Sequence, residues 1–259
     1  MLLCLDVGNT QIYGGIYKND ELILQFRKTS QQNLSSDEFG IFLKSVIREN
    51  NYNIKDIDAI SICSVVPDKE HSIKNGCIKY IDISPFFLQP GVKTGLKIKY
   101  KNPREVGADR IANAIAALSM YPNNNLIVVD FGTATTFCVI SKNKEYLGGI
   151  IIPGIRISME ALAIHTAKLP RVEIKKTMNV YGKTTEESIQ AGLYHSQIAI
   201  VKELTKKISL EAFQGDKPVV IGTGGFSSMF QNENLFDIIS PTLVFKGLKE
   251  AYKINETKI

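Results

Sequence analysis

The chain has 259 residues, 44% hydrophobic and 22% charged, an ordinary globular composition long enough for one large domain or two similar lobes. A formal net charge of +5 is too mild to call for nucleic acid. No apolar run reaches the roughly eighteen residues needed to cross a bilayer, so neither nucleic acid nor membrane is an expected partner.

The start, Met1-Leu-Leu-Cys-Leu-Asp6, meets an acidic residue before the apolar stretch of a signal peptide can develop. Cys4, Cys63, Cys77 and Cys138 show no CxxC spacing, and three of them lie in apolar strand-like runs. Reduced core thiols and a cytoplasmic setting are expected.

Leu2 to Thr10 opens with a strand and an Asp-x-Gly turn, and the same pattern returns at Leu126 to Ala134 at a constant offset. At that offset Asp6 meets Asp130, Gly8 meets Gly132, Ile16 meets Ile140, Lys18 meets Lys142, Asn19 meets Asn143 and Glu21 meets Glu145. Each copy reads as strand, Asp-x-Gly turn, strand, Lys-Asn turn, strand, with third strands near Leu22–Phe26 and Tyr146–Ile151. Two lobes follow: residues 1–117 with the first turn, and 118–259 with the second.

Ser35-Ser-Asp-Glu38 predicts a capping box opening a helix whose Phe39, Phe42, Leu43, Val46 and Ile47 share one face. Asp58 to Val66 reads as a short strand ended by Pro67. In Lys97-Ile-Lys-Tyr-Lys101 the alternation puts three lysines on one strand face, with Ile98 and Tyr100 on the other. A helix is expected from near Gly107-Ala-Asp109 through Ala117, with Ile111, Ile115 and Leu118 turned inward. Thr184-x-x-Glu187 is a second capping-box match before a long helix carrying Ile189, Leu193, Ile200, Leu204 and Ile208. Val219 to Gly225 is a strand running into Gly222-Thr-Gly-Gly225, either a close-approach site for a flat base or a plain strand-to-helix turn.

A glycine in Asp6-Val-Gly-Asn-Thr10 lets successive N–H groups and the Asn9 and Thr10 side chains converge on an oxygen-rich anion. A carboxylate beside such a nest is useful where a cation intervenes, and Mg²⁺ with its waters is the natural mediator. One copy alone reads better as an ordinary hairpin turn, whereas two copies suit the grip on a polyphosphate that phosphoryl transfer needs. No GxxxxGK[ST], Gly-rich dinucleotide turn or HExxH segment is present, and His71, His165 and His195 are too scattered to suggest a ligand set.

Five segments carry a resemblance: Asp6-Val-Gly-Asn-Thr10, Tyr100-Lys-Asn-Pro-Arg-Glu-Val-Gly-Ala-Asp-Arg110, Asp130-Phe-Gly-Thr-Ala-Thr-Thr136, Gly148-Gly-Ile-Ile-Ile-Pro-Gly154 and Gly222-Thr-Gly-Gly225. In order and spacing they resemble the type III pantothenate kinases, within the wider actin, Hsp70 and sugar-kinase superfamily. The resemblance implies an actin-like (ribonuclease H-like) duplicated α/β fold, with mixed sheets flanked by helices. It also implies a homodimer and the ATP-dependent phosphorylation of pantothenate to 4'-phosphopantothenate, the first step of coenzyme A biosynthesis.

By the same resemblance Asp6, Val7, Gly8, Asn9, Thr10, Gln11, Ile12 and Tyr13 hold ATP, with Thr133 assisting. Asp109 is the catalytic base. Tyr100, Gly107, Ala108, Asp109, Arg110 and Thr185 contact pantothenate, and Asp130 binds K⁺ or NH₄⁺, required alongside Mg²⁺. The family usually has Asn before the threonine matching Thr185, where this chain has Thr184. Asp109 and Thr185 also stand where helix N-caps are expected, so each has a purely structural reading. The rival functions are an ATP-binding regulatory protein of the same fold, which would lack the base, and a phosphohydrolase or other sugar-type kinase, which would lack the block ending in Gly-Ala-Asp-Arg110.

Overall fold

The computed structural model describes residues 1–30 and 33–256. They form two compact units, one comprising Met1–Gly95, Lys101–Ala116 and Val244–Ile259, the other Leu96–Tyr100 and Ala117–Leu243. The units are therefore not the consecutive stretches 1–117 and 118–259. The C-terminal segment belongs with the first unit, and the short strand at Lys97 belongs with the second. Among the described residues no helix is long and apolar enough to cross a membrane.

The first unit is built on a five-stranded sheet: β1 (Leu2–Val7), β2 (Gln11–Lys18), β3 (Glu21–Thr29), β4 (Ala59–Ser64) and β5 (Phe86–Phe87), in the order β3-β2-β1-β4-β5. The meander β1-β2-β3 is antiparallel, whereas β4 joins β1 in parallel after a crossover through α1 (Ser36–Glu49). Leu3, Cys4, Leu5 and Val7 are all buried, as expected of a central strand covered on both faces.

The capping box forms as the sequence predicts: the Glu38 N–H donates to Ser35 Oγ (3.2 Å) and the Ser35 N–H to Glu38 Oε2 (2.9 Å). Phe39, Leu43 and Ile47 are fully buried, with Phe42 and Val46 flanking them. Pro67 ends the preceding strand region and also opens α2 (Pro67–Ile81), in the first-turn position where its missing N–H does no harm. The C-terminal α6 (Leu243–Glu256) packs on this unit: Cys4 Sγ donates to the Phe245 carbonyl (3.7 Å) and Ser61 Oγ to the Leu248 carbonyl (2.9 Å).

The second unit repeats the topology. Its six-stranded sheet runs β11-β10-β7-β8-β9-β6, with β6 (Lys97–Ile98), β7 (Leu126–Phe131), β8 (Ala134–Ser141), β9 (Glu145–Pro153), β10 (Val219–Thr223) and β11 (Ile238–Ile239). Strands β7, β8 and β9 again form an antiparallel meander, and β10 again joins the first strand in parallel. Two helices follow the meander, α4 (Ile155–His165) and α5 (Thr185–Phe213). All four cysteines are buried and none is in a disulfide.

The duplication is real, but its register differs from the constant offset. The first Asp-x-Gly turn closes with the Gly8 N–H on the Gln11 carbonyl (3.0 Å), the second with the Gly132 N–H on the Ala134 carbonyl (3.1 Å), one residue sooner. The next hairpin repays that residue. Asn19 and Asp20 form a two-residue loop in the first copy, while Lys142, Asn143 and Lys144 form a three-residue loop in the second, with Lys144 at a left-handed φ of 61°. The β-bulges mark the same slip, falling at Ile16/Tyr17 and at Val139/Ile140. Ile16 therefore corresponds to Val139, not to Ile140, although Asp6 still corresponds to Asp130 and Glu21 to Glu145. The third strands are also longer than expected at both ends.

Candidate active site

In the first unit, Asp6 sits next to last in β1, opposite Tyr13 on β2 and Cys63 on β4. The Cys63 thiol donates to Asp6 Oδ1 at 3.4 Å. Burial pushes that thiol well up from its ordinary range, and the negative charges of Asp6 and then Asp109 push it further. Both carboxylates thus act on one buried group, which brings the first turn and the start of α3 (Ala108–Met120) into one neighbourhood.

Asp109 lies in the first turn of α3 and its Oδ1 accepts the Arg110 N–H at 2.8 Å. The helix begins with the Ile111 N–H on the Gly107 carbonyl (3.1 Å). Burial raises the Asp109 carboxyl above the ordinary aspartate range, opposed by that N–H and by the Arg110 guanidinium. A carboxylate displaced in this direction is a better proton acceptor than a solvated one. Arg110 is buried beside it. A Cβ on Gly107 would stand 2.5 Å from Asp109 Oδ1, so a side chain there fits only if that carboxylate turns aside.

The residues expected to hold ATP divide into two kinds. Asn9, Thr10 and Gln11 are exposed at the turn, while the side chains of Val7 and Ile12 are fully buried and leave only their backbone for a ligand. Gln11 and Tyr13 lean on β3: Arg27 donates to Gln11 Oε1 (3.3 Å) and lies over the Tyr13 ring, 3.8 Å from its centroid. Tyr13 also donates to Gln25 and packs on Phe245 at 4.4 Å between ring centroids. Its phenol is raised by burial, with Arg27 pulling the other way.

In the second unit Asp130 pairs with Thr223 of β10, which delivers the glycine turn beside it. Gly224 has a φ of 89°, and a Cβ there would fall 2.3 Å from Asp130 Oδ1 and 2.6 Å from the Phe131 nitrogen. Gly154, which caps α4, approaches the same turn from another side: its Cβ would meet the Thr133 carbonyl at 2.2 Å and the Gly132 carbonyl at 2.7 Å. Asp130, Thr133 and two motif glycines are thus one local structure. Within Gly222 to Gly225 it is Gly224 that packs on the Asp130 turn, and the chain then enters a short helical turn at Ser227–Phe230.

Thr185 and Tyr100 lie elsewhere in this unit. Thr184, not Thr185, is the N-cap of α5, its Oγ1 accepting the Glu187 N–H at 3.2 Å. The box does not close, because Glu187 Oε2 accepts the N–H of Lys183 (2.8 Å) instead of the N-cap's own. Thr185 lines a cavity of about 830 Å³ with Ser158 and Leu162 of α4 and Ser188 and Ser196 of α5. Tyr100 follows β6 and packs against Tyr146 with ring centroids 6.3 Å apart. Among the described residues no three His, Cys, Asp or Glu side chains cluster as a metal site.

The profile of type III pantothenate kinases matches residues 2–207. The type III pantothenate kinase of Legionella pneumophila strain Corby is 56% identical over 255 residues, covering 98% of this chain and 99% of that protein. Among solved structures, one described as a Baf family transcriptional activator from Campylobacter jejuni aligns with a TM-score of 0.61 at 21% identity, covering 98% of both chains. One described as a 2-dehydro-3-deoxygalactonokinase from Sinorhizobium meliloti aligns with a TM-score of 0.62 at 12% identity, again covering 98% of both. Such distant likenesses speak for the fold alone. On the profile and the full-length relative, the chain belongs to the type III pantothenate kinase family.

Proposed function

We propose that this protein transfers the γ-phosphoryl group of ATP to the primary hydroxyl of pantothenate, giving 4'-phosphopantothenate, with Asp109 as general base. The observation that carries the reading is the Asp109 carboxylate itself: partly enclosed, raised by burial, aimed by the Arg110 N–H and given its space by Gly107. As the oxygen–phosphorus bond forms, the hydroxyl proton passes to Asp109, and the bond from the γ-phosphorus to the bridging oxygen breaks to release ADP. Arg110 meets the pantothenate carboxylate, for which a planar guanidinium provides paired donors. Tyr100, Gly107, Ala108 and Thr185 complete the acceptor contacts.

The stretch Asp6 to Tyr13 and Thr133 are assigned to ATP. Mg²⁺ with ATP neutralises phosphate charge, and Asp6 suits water-mediated contact with it. K⁺ or NH₄⁺ is assigned to Asp130. What supports the reading is that the side-chain-free Gly224 backbone closely approaches the Asp130 carboxylate, a group that could replace part of the hydration shell of a weakly hydrated monovalent cation. A homodimer working in the cytoplasm completes the reading.

The test is ADP release by purified protein with ATP, Mg²⁺ and K⁺, with and without pantothenate. Release that depends on pantothenate supports the reading, and release indifferent to it would leave an ATPase instead.

A further inference from the structure

The first unit holds a buried cation that none of these assignments uses. Lys69, in the first turn of α2, is 7% exposed. Its ammonium donates to Ser30 Oγ, and among the described residues it has no other hydrogen-bond acceptor and no carboxylate within ion-pair distance. An ammonium carries three donors, and burying its charge against one neutral hydroxyl is unfavourable unless an anion completes the set.

Its position indicates which anion. The Ser30 N–H donates to the Thr10 carbonyl at 2.9 Å, so the serine that holds Lys69 is hung on the first Asp-x-Gly turn. The start of α2 is tied to the same edge. The Val65 N–H donates to the Val7 carbonyl (3.1 Å), the Val66 N–H to Ser64 Oγ (3.1 Å) and the Lys69 N–H to the Val66 carbonyl (3.0 Å). Lys69 is thus fixed at the carboxyl edge of the parallel pair β1 and β4, the edge from which the turn springs.

We infer that Lys69 is a positioning residue for the nucleotide's phosphates: through Ser30 it fixes the Thr10 end of the turn, and it sets a buried positive charge behind it. The inference rests on the reading that this turn binds ATP. Since its charge acts on phosphates and not on the base or sugar, Lys69 favours polyphosphates over nucleosides.

Calorimetric affinities of ATP, ADP and adenosine for wild type, Lys69→Met, Lys69→Gln and Ser30→Ala test this. Lys69→Met and Lys69→Gln should each weaken ATP and ADP about tenfold or more while leaving adenosine and the KM for pantothenate within twofold. Ser30→Ala should follow in the same direction more weakly. Glutamine retains a donor for Ser30 without the charge, so wild-type ATP affinity in Lys69→Gln would reduce Lys69 to a structural tether and overturn the inference. Equal weakening of adenosine and ATP would overturn it too. Wild-type protein that binds no ATP would instead refute the nucleotide reading of the turn, and this inference with it.

Discussion

Asp109→Asn is the substitution on which most of the account turns. Asparagine has nearly the same shape, and its carbonyl can still accept the Arg110 N–H now held at 2.8 Å, so the start of α3 should survive. What disappears is the proton acceptor. General-base catalysis typically contributes ~10²–10⁴-fold, or about 3–5 kcal/mol of transition-state stabilisation, and kcat should fall by that factor with little change in the KM for ATP.

Stability should move the other way. The folded-state pKa of Asp109 lies above the ordinary value of 3.8, so the folded protein holds this proton more tightly than the unfolded chain does. Its contribution is therefore most favourable below that ordinary value and is lost as pH rises through the folded-state pKa, leaving an ionised, partly desolvated carboxylate at neutral pH. Asp109→Asn removes that burden, so the variant should unfold at the same temperature as wild type or a higher one at pH 7, and gain nothing at pH 3. The assays are steady-state kinetics across neutral pH and thermal unfolding at both pH values. A variant that keeps kcat within a few-fold of wild type at saturating cations would show that positioning alone accounts for catalysis.

Gly107→Ala should lower kcat at least tenfold with the carboxylate still present, because a Cβ 2.5 Å from Asp109 Oδ1 must re-aim it; unchanged kinetics would mean the carboxylate's direction is immaterial. Arg110→Lys should raise the KM for pantothenate well above any change in the KM for ATP, since lysine cannot form paired bonds to a carboxylate; parallel shifts would give Arg110 another role. Activity should require K⁺ or NH₄⁺, and Gly224→Ala, with its Cβ 2.3 Å from Asp130 Oδ1, should raise the K⁺ concentration for half-activation several-fold; equal rates in K⁺ and Na⁺ buffers would remove the monovalent site.

Much of this was legible in the sequence, for reasons that also mark where reading stops. The repeat showed because Asp6 and Asp130, with Gly8 and Gly132, sit in turns that few residue types can make. Its internal slip did not show, since a residue lost at one turn and regained at the next leaves both ends of the alignment in step, and Ile16 pairs as plausibly with Ile140 as with Val139. Helix α1 was readable from its capping box and clean apolar face.

Helix α2 was not, because its buried face carries Lys69 and Gly76 beside Ile73 and Cys77, which blurs the period, and because Pro67 reads as a stop as readily as a start. The proximity of Asp6 and Cys63 follows from the parallel pairing of β1 with β4, a contact between distant segments that no local pattern announces. For the same reason nothing local in the sequence marks Lys69 as buried. Thr184 and Thr185 were ambiguous as neighbours, and only helix geometry separates the cap from the residue on the cavity wall.

The most direct measurement is a single-turnover experiment with γ-³²P-labelled ATP, enzyme in excess, Mg²⁺, K⁺ and pantothenate, with the labelled product identified chromatographically against 4'-phosphopantothenate. The account predicts rapid transfer of label to pantothenate by wild type and transfer at least a hundredfold slower by Asp109→Asn. Label released as inorganic phosphate, or transferred equally fast by both proteins, would contradict it.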